Sequence, residues 1–299
     1  MLSGIRAQDG IFLSELGHIE DRISKTNQQV TSGTRVAQAI DDPSAVMPIL
    51  QFQSQIDRLT QVNSNLQRAN TDAATADSAL QSASSIMDRL NSIGTQGMSA
   101  QTTADNRKDL SLEVQSLENQ LVSIANTSIG NRYIFGGDNG NVPPYTYDPT
   151  KPNGVVNNLT NSNPTYLTDG NGSTVLAGET AAEIFDSPSG SVFQAVYALG
   201  QALANNDTPG IQTALGSIKT ATAQLGQMTV FYGNVESWIT QANENTANQI
   251  SALQQSLSSI QDVDMPSAIT QLTADQTALQ VSLSAHASLS SKTLFDYLG

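Results

Sequence analysis

Apolar residues recur every seven positions along most of this chain. Near the N-terminus Ile5, Phe12, Ile19 and Thr26 form one row, and Leu16, Ile23 and Val30 form a second row beside it. Two adjacent heptad rows make one apolar stripe on a helix. The stripe predicts a helix that stops near Ser32-Gly33, because glycine suits the left-handed cap. Asp41-Asp42-Pro43 predicts the next helix start: aspartate satisfies free N–H groups and proline is pre-set for the first helical position. From there Phe52, Leu59, Leu66, Ala73, Leu80 and Met87 keep strict spacing, with Val62, Ala69, Ala76, Ala83 and Leu90 as a companion row. The alanines of this seam permit close helix approach, and the helix is expected to end near Gly94 to Gly97. A capping-box-like Thr102-Thr103-Ala104-Asp105 predicts a third helix carrying Leu110, Val114, Leu117, Leu121 and Ile124 and running to about Gly130.

The pattern then changes. Residues 134–178 are rich in Gly, Pro, Asn, Thr and Tyr. Four short β-prone pieces stand between turn signals: 145–147, 154–156, 165–168 and 173–176, with Asp169-Gly170-Asn171-Gly172 as a hairpin turn. Helix returns afterwards. Residues 191–205 predict a short amphipathic helix, and Thr208-Pro209 opens a long one on which Ile211, Ile218, Leu225, Tyr232, Ile239, Thr246, Leu253 and Ile260 recur by sevens. Asp264-Met265-Pro266 marks a restart, and the last helix carries Ile269, Leu272, Leu279, Val281, Leu283, Leu289 and Leu294. The fold class predicted is mainly α: a long antiparallel helical bundle or coiled coil in which N- and C-terminal segments pair, with a small β-rich insertion. The expected domains are a terminal helical unit (1–35 with 265–299), a helical bundle (36–133 with 179–264) and an outer insertion (134–178).

The ends differ from the middle. Their stripes are broken by Thr26, Gln276, His286 and Thr293, yet each arm must offset about 1–2 kcal/mol of backbone entropy per residue. The terminal arms are therefore expected to be poorly ordered in a lone molecule and to fold on docking with neighbouring subunits. Candidate assembly residues are Ile5, Phe12, Leu16, Ile19, Ile23, Leu272, Leu279, Leu283, Leu294 and Tyr297.

Composition narrows the options. Net charge is −14, which argues against the basic patch that phosphate neutralisation needs and disfavours nucleic acid or an anionic membrane as a partner. The chain has no cysteine, so disulfides, thiol nucleophiles and Cys-ligated metals are excluded. Charged residues are 13 % of the total, about half the usual ~25 %. That reflects either surface that meets other protein or compositional drift. No apolar run approaches the ~20 residues of a membrane span, and the N-terminus lacks the charged and apolar regions of a cleavable secretion signal.

Chemistry is sparse. His18 and His286 lie on opposite terminal helices and could share a metal if the arms approach, but packed or solvated helix positions explain them better. Asp41-Asp42 reads as a cap rather than a catalytic acid pair, and Asp138–Asn141 and Asp169–Gly172 read as turns because neither has the later glutamate of a calcium loop. No hydrolase, nucleotide or zinc-protease motif occurs. The sequence predicts neither an enzyme nor a cofactor or metal site.

Several segments resemble a known family. Ser32-Gly33-Thr34-Arg35 followed by Asp41-Asp42-Pro43-Ser44-Ala45, then Gln67–Asp72 leading into Ala79-Leu80, are similar to the N-terminal signature of the flagellin superfamily. Asn126–Gly137 and the ending Thr293–Leu298 resemble its hook–filament junction branch more than filament flagellins. The likeness covers roughly residues 1–137 and 178–299, while the insertion is not recognisable. It implies a structural subunit of the bacterial flagellum that joins hook to filament, self-associates in a ring and meets the first junction protein and flagellin. A filament flagellin with a small outer domain is the alternative. The resemblance further implies unfolded export from the cytoplasm by the flagellar type III apparatus, an extracellular location, and a cytoplasmic export chaperone that holds Leu279, Leu283, Leu289 and Leu294.

Overall fold

The computed structural model describes residues 2–159, 161–188 and 190–298, and within these the side chains of residues 10–288. Three helices come first: α1 (Leu2–Ser32), α2 (Pro43–Met98) and α3 (Ala104–Ala125). Six short strands follow, β1 (Ser128–Ile129), β2 (Arg132–Tyr133), β3 (Tyr145–Tyr147), β4 (Val155–Asn157), β5 (Thr165–Thr168) and β6 (Thr174–Gly178), with a 3-10 turn at Gly137–Asn139. The chain closes with α4 (Ala181–Phe185), β7 (Asp186–Ser187), β8 (Gly190–Ser191), α5 (Val192–Ala204), α6 (Thr208–Gln261) and α7 (Met265–Leu298).

The helix ends sit where their chemistry asks. Gly33 takes φ +73° directly after α1, a left-handed conformation that costs a Cβ-bearing residue. Asp42 Oδ1 accepts from the Ser44 and Ala45 N–H groups at 3.2 and 3.3 Å and so caps α2. Thr103 accepts from the Asn106 N–H at 3.2 Å and caps α3. The third helix ends at Ala125 rather than near Gly130. Asn126 stops it: its amide side chain donates to the Tyr145 carbonyl at 2.7 Å and accepts from the Tyr145 N–H at 2.9 Å. A tertiary contact with β3 thus replaces continued helix.

The β-prone pieces pair locally. The β3–β4 ladder matches Tyr145 with Asn157 and Tyr147 with Val155; the β5–β6 ladder matches Tyr166 with Leu176 and Thr168 with Thr174. Asp169 closes the latter hairpin by accepting from the Asn171 and Ser173 N–H groups at 2.9 and 2.8 Å. Among the described residues the strands form separate two-stranded antiparallel ladders. Such ladders are marginal alone, and side chains of β2 and β3 tie two of them to other elements. Tyr145 is buried and its hydroxyl donates to Asp186 Oδ2 at 2.7 Å, while Arg132 pairs with Asp72 of α2 at 2.6 Å.

The chain divides into two compact units, residues 59–248 and residues 1–58 with 249–299. In the first, the seam predicted from spacing is the core. Leu59, Leu66, Ala73, Leu80 and Met87 of α2 and Ile211, Ile218, Leu225, Tyr232 and Ile239 of α6 are all buried. A Cβ on Gly94 would meet Leu215 of α6, and one on Gly97 would meet Leu203 of α5, so these glycines mark close approach. In the other unit burial is thin. Val36, Ala45 and Ile49 pack with the half-buried Leu257 and Ile260, and Ile19, Thr26, Ala268 and Asp275 add the remaining covered positions among the described residues.

Candidate functional site

Within the terminal unit, α1 and α7 pack against each other and run antiparallel. Three contacts set their register. Arg22 Nε donates to Asp275 Oδ1 at 3.1 Å, the Phe12 ring meets His286 edge-on with centroids 4.0 Å apart, and Thr34 bridges to Asp262 at the turn ends. The residue numbers of each pair add to between 296 and 298. One constant register therefore describes the whole pair and places Ile19 level with Leu279.

The predicted assembly residues separate by exposure. Ile19 is buried at the centre of the pair; Phe12, Leu16, Ile23, Leu272 and Leu279 are half-buried. These six line one seam. Leu283 is 48 % exposed and stands beside it. Ile5, Leu289, Leu294 and Tyr297 lie outside the residues whose side chains are described. The same holds for two of the four residues implied for chaperone contact; of the other two, Leu279 belongs to the seam and Leu283 faces out.

Heptad reading missed further members. Ile11 and Leu13 on α1 and Ile269 and Val281 on α7 are large apolar side chains at least half exposed. Ile11, Leu13 and Val281 lie off the heptad rows, and Ile269 shares a row with Leu283 that Gln276 interrupts, so spacing by sevens does not single them out. Asp275 was also missed. It occupies a stripe position between Leu272 and Leu279, is buried, and accepts from Arg22 and from Gln271 Nε2 at 3.1 Å. An acid in an apolar stripe is itself the signal that a partner waits on the facing helix, since a buried carboxylate needs pairing.

The loop from α1 to α2 ties the unit together. Arg35 donates to the Ile260 carbonyl at 2.7 Å and to Asp42 Oδ2 at 3.1 Å, and its N–H donates to the Gln261 carbonyl at 2.7 Å. The Val263 N–H returns to the Gly33 carbonyl at 3.0 Å. The guanidinium thus satisfies a carbonyl of the last turn of α6, which has no intrahelical donor. Asp41 accepts from the Gln38 and Ala37 N–H groups, and these bonds, with Lys25 nearby, hold its carboxyl below the ordinary range. The Ser44 hydroxyl and Arg35 do the same for Asp42. Both acids are occupied by structural bonds.

The two histidines do not come together. His18 is exposed and level with residue 280, about 9 Å along the helix from His286 at 1.5 Å per residue. Among the described residues no three His, Cys, Asp or Glu side chains group to hold a metal. The faint calcium-like turns have other partners: Asp138 accepts from the Asn163 N–H and side-chain amide, and Asp169 closes its own hairpin. No helix of the described residues is long and apolar enough to cross a membrane.

Known proteins share this arrangement. Residues 10–140 match the bacterial flagellin N-terminal helical region and residues 210–298 match the bacterial flagellin C-terminal helical region. The chain is 25 % identical over 305 residues to flagellar hook-associated protein 3 of Escherichia coli (strain K12), covering 91 % of each. It is 27 % identical over 269 residues to a flagellin of Listeria monocytogenes, covering 88 % of this chain and 86 % of the relative. A solved flagellar hook-associated protein from Vibrio parahaemolyticus superposes with a TM-score of 0.66 at 18 % identity, covering 74 % of this chain and 100 % of that one. The last likeness is one of fold.

Proposed function

The chain belongs to the flagellin superfamily, and from that premise we propose that it is the structural subunit joining hook to filament in the bacterial flagellum. The observation that carries the assembly role is the contrast between its two units. In the unit of residues 59–248 the main heptad rows of α2 and α6 are buried, whereas the terminal unit leaves Ile11, Leu13, Leu50, Ile269, Val281 and Leu283 about half exposed or more. Apolar surface exposed in a cluster marks a contact site, and burying it against further subunits stabilises the assembly at about 25 cal/mol per Å². The match to hook-associated protein 3 over 91 % of both chains favours the junction over the filament.

On this reading copies of the chain form a ring, with the first junction protein on one side and flagellin on the other. Residues 1–35 and 265–299 form the assembly domain, whose already paired arms bury further apolar surface on docking. The protein reaches the outside through the flagellar export apparatus, and before export a cytoplasmic chaperone covers the outward face of α7 at Leu283. It carries no catalytic role.

Immunogold labelling of flagella combined with polymerisation of the purified chain tests the reading. Label confined to the hook–filament boundary and no long filaments from the pure protein are expected. Label along the whole filament, or long filaments grown from the chain alone, would instead make it a filament flagellin.

A further inference from the structure

We propose that Glu118 is a proton-operated latch on the β3–β4 hairpin: its protonated carboxyl seats the hairpin against α3, and ionisation loosens it.

The geometry is specific. Glu118 sits on α3 with 2 % of its surface exposed, and its Oε1 has no hydrogen-bond partner. The lid over it is the turn between β3 and β4. Gly154, at φ +70°, presses against the carboxyl group so closely that a Cβ there would overlap Oε1 and Cδ. The turn is itself fastened, with the Gly154 N–H donating to the Lys151 carbonyl at 3.0 Å and the Gly154 carbonyl accepting from Asp148 N–H at 2.9 Å. A carboxylate shut under backbone loses its hydration, and without a donor or cation nothing replaces it.

The neighbouring titratable groups offer no compensation. Tyr147 on β3 is a phenol whose own ionisation is resisted, first by burial and then by the charge of Glu118. Tyr145 on β3 is committed to Asp186. In the turn, the Asp148 carboxylate is held by Thr150, and Lys151 acts on Asp148. Tyr197 is the titratable side chain of α5, which packs along α3. On α3 itself, Glu113 is paired with Arg89. Burial accordingly raises the Glu118 carboxyl from 4.5 to about 7, so the proton leaves near neutrality.

The sign follows from linkage. When the hairpin lifts, Glu118 meets water and its affinity for the proton falls. Opening is therefore resisted most at low pH and becomes easier as pH rises through neutrality. The device lies within the unit of residues 59–248 and is independent of the seam between α1 and α7.

Hydrogen exchange of the full chain at pH 5.5 and 8.5, corrected for the intrinsic chemical rate, reads this directly. The amides of β3 and β4 are expected to open about thirtyfold more often at the higher pH. Glu118→Gln should remove that dependence. Gly154→Ala should open the hairpin at both pH values, and a carboxyl-carbon NMR titration should place the Glu118 midpoint near neutral. A pH effect in Glu118→Gln equal to wild type, a Gly154→Ala hairpin as protected as wild type, or a midpoint in the ordinary carboxylate range would overturn the proposal.

Discussion

Arg22 and Asp275 lie 253 positions apart and meet at 3.1 Å, fixing where α7 stands against α1. The two partners are unequal. The Asp275 side chain is 5 % exposed, while that of Arg22 is 52 % exposed. Removing the arginine leaves a buried carboxylate with Gln271 alone; removing the charge from the aspartate leaves no such debt. Arg22→Ala is therefore expected to destabilise the terminal unit more than Asp275→Asn does, by about 1–2 kcal/mol. Limited proteolysis of α1 in the two variants measures the difference, and equal cleavage rates would contradict it.

Ile19 and Leu283 separate folding from assembly. Ile19 is buried in the pair, so Ile19→Ala should cost about 2–4 kcal/mol in the lone chain. Leu283 is 48 % exposed, so Leu283→Asp should change monomer stability by no more than ~0.5 kcal/mol. In cells it should nonetheless give secreted subunits and filaments lost from hooks. Normal swimming with Leu283→Asp would remove the outward face of α7 from the assembly role.

Arg35 bridges the α1–α2 loop to the last turn of α6 through Ile260 and Asp42. Lysine carries the charge without the fork that reaches both acceptors. Arg35→Lys should therefore behave like Arg35→Ala, each raising hydrogen exchange at 260–263 by about tenfold, as expected for ~1.4 kcal/mol. Full protection in the lysine variant would show that charge alone suffices.

The alanine seam of α2 admits no larger side chain. Ala83 is fully buried opposite well-packed neighbours, so Ala83→Leu should cost about 1–3 kcal/mol by overpacking. Urea denaturation measures it. The same substitution at the exposed Ser82 should be nearly silent.

Glu118 also shapes global stability. Its folded-state carboxyl titrates near 7 against 4.5 in the unfolded chain. An acid whose proton affinity is raised by folding contributes fully at low pH, and stability falls as pH rises from about 4.5 to about 7. Above that range Glu118→Gln should be more stable than wild type by roughly 2–4 kcal/mol. Equal denaturation midpoints at pH 8 would contradict this.

The helical frame was legible because it depends on local rules. Seven-residue spacing put Leu66, Leu80 and Met87 on one face, and Gly33, Asp42 and Thr103 end or begin helices through bonds within a few residues. The strands at 145–147 and 155–157 and the hairpin at 165–178 were legible for the same reason, while the pairing of the first two was not. The small ladders β1–β2 and β7–β8 and the helix α4 were not, since two to five residues carry no period. The end of α3 was misplaced because Asn126 is stopped by Tyr145, a partner no local pattern names.

The order and faces of the helices, the turn chemistry and the apolar content of the ends are properties of the chain written in one dimension. Which helices meet, in what register, and which apolar residues stay uncovered were decided only in three. The reason is that a period selects a face without selecting its partner. Long-range contacts such as Arg22 with Asp275, Arg35 with Ile260 and Gly154 on Glu118 arise when particular side chains lose water together. The same criterion leaves Leu283 in water and Ile19 out of it.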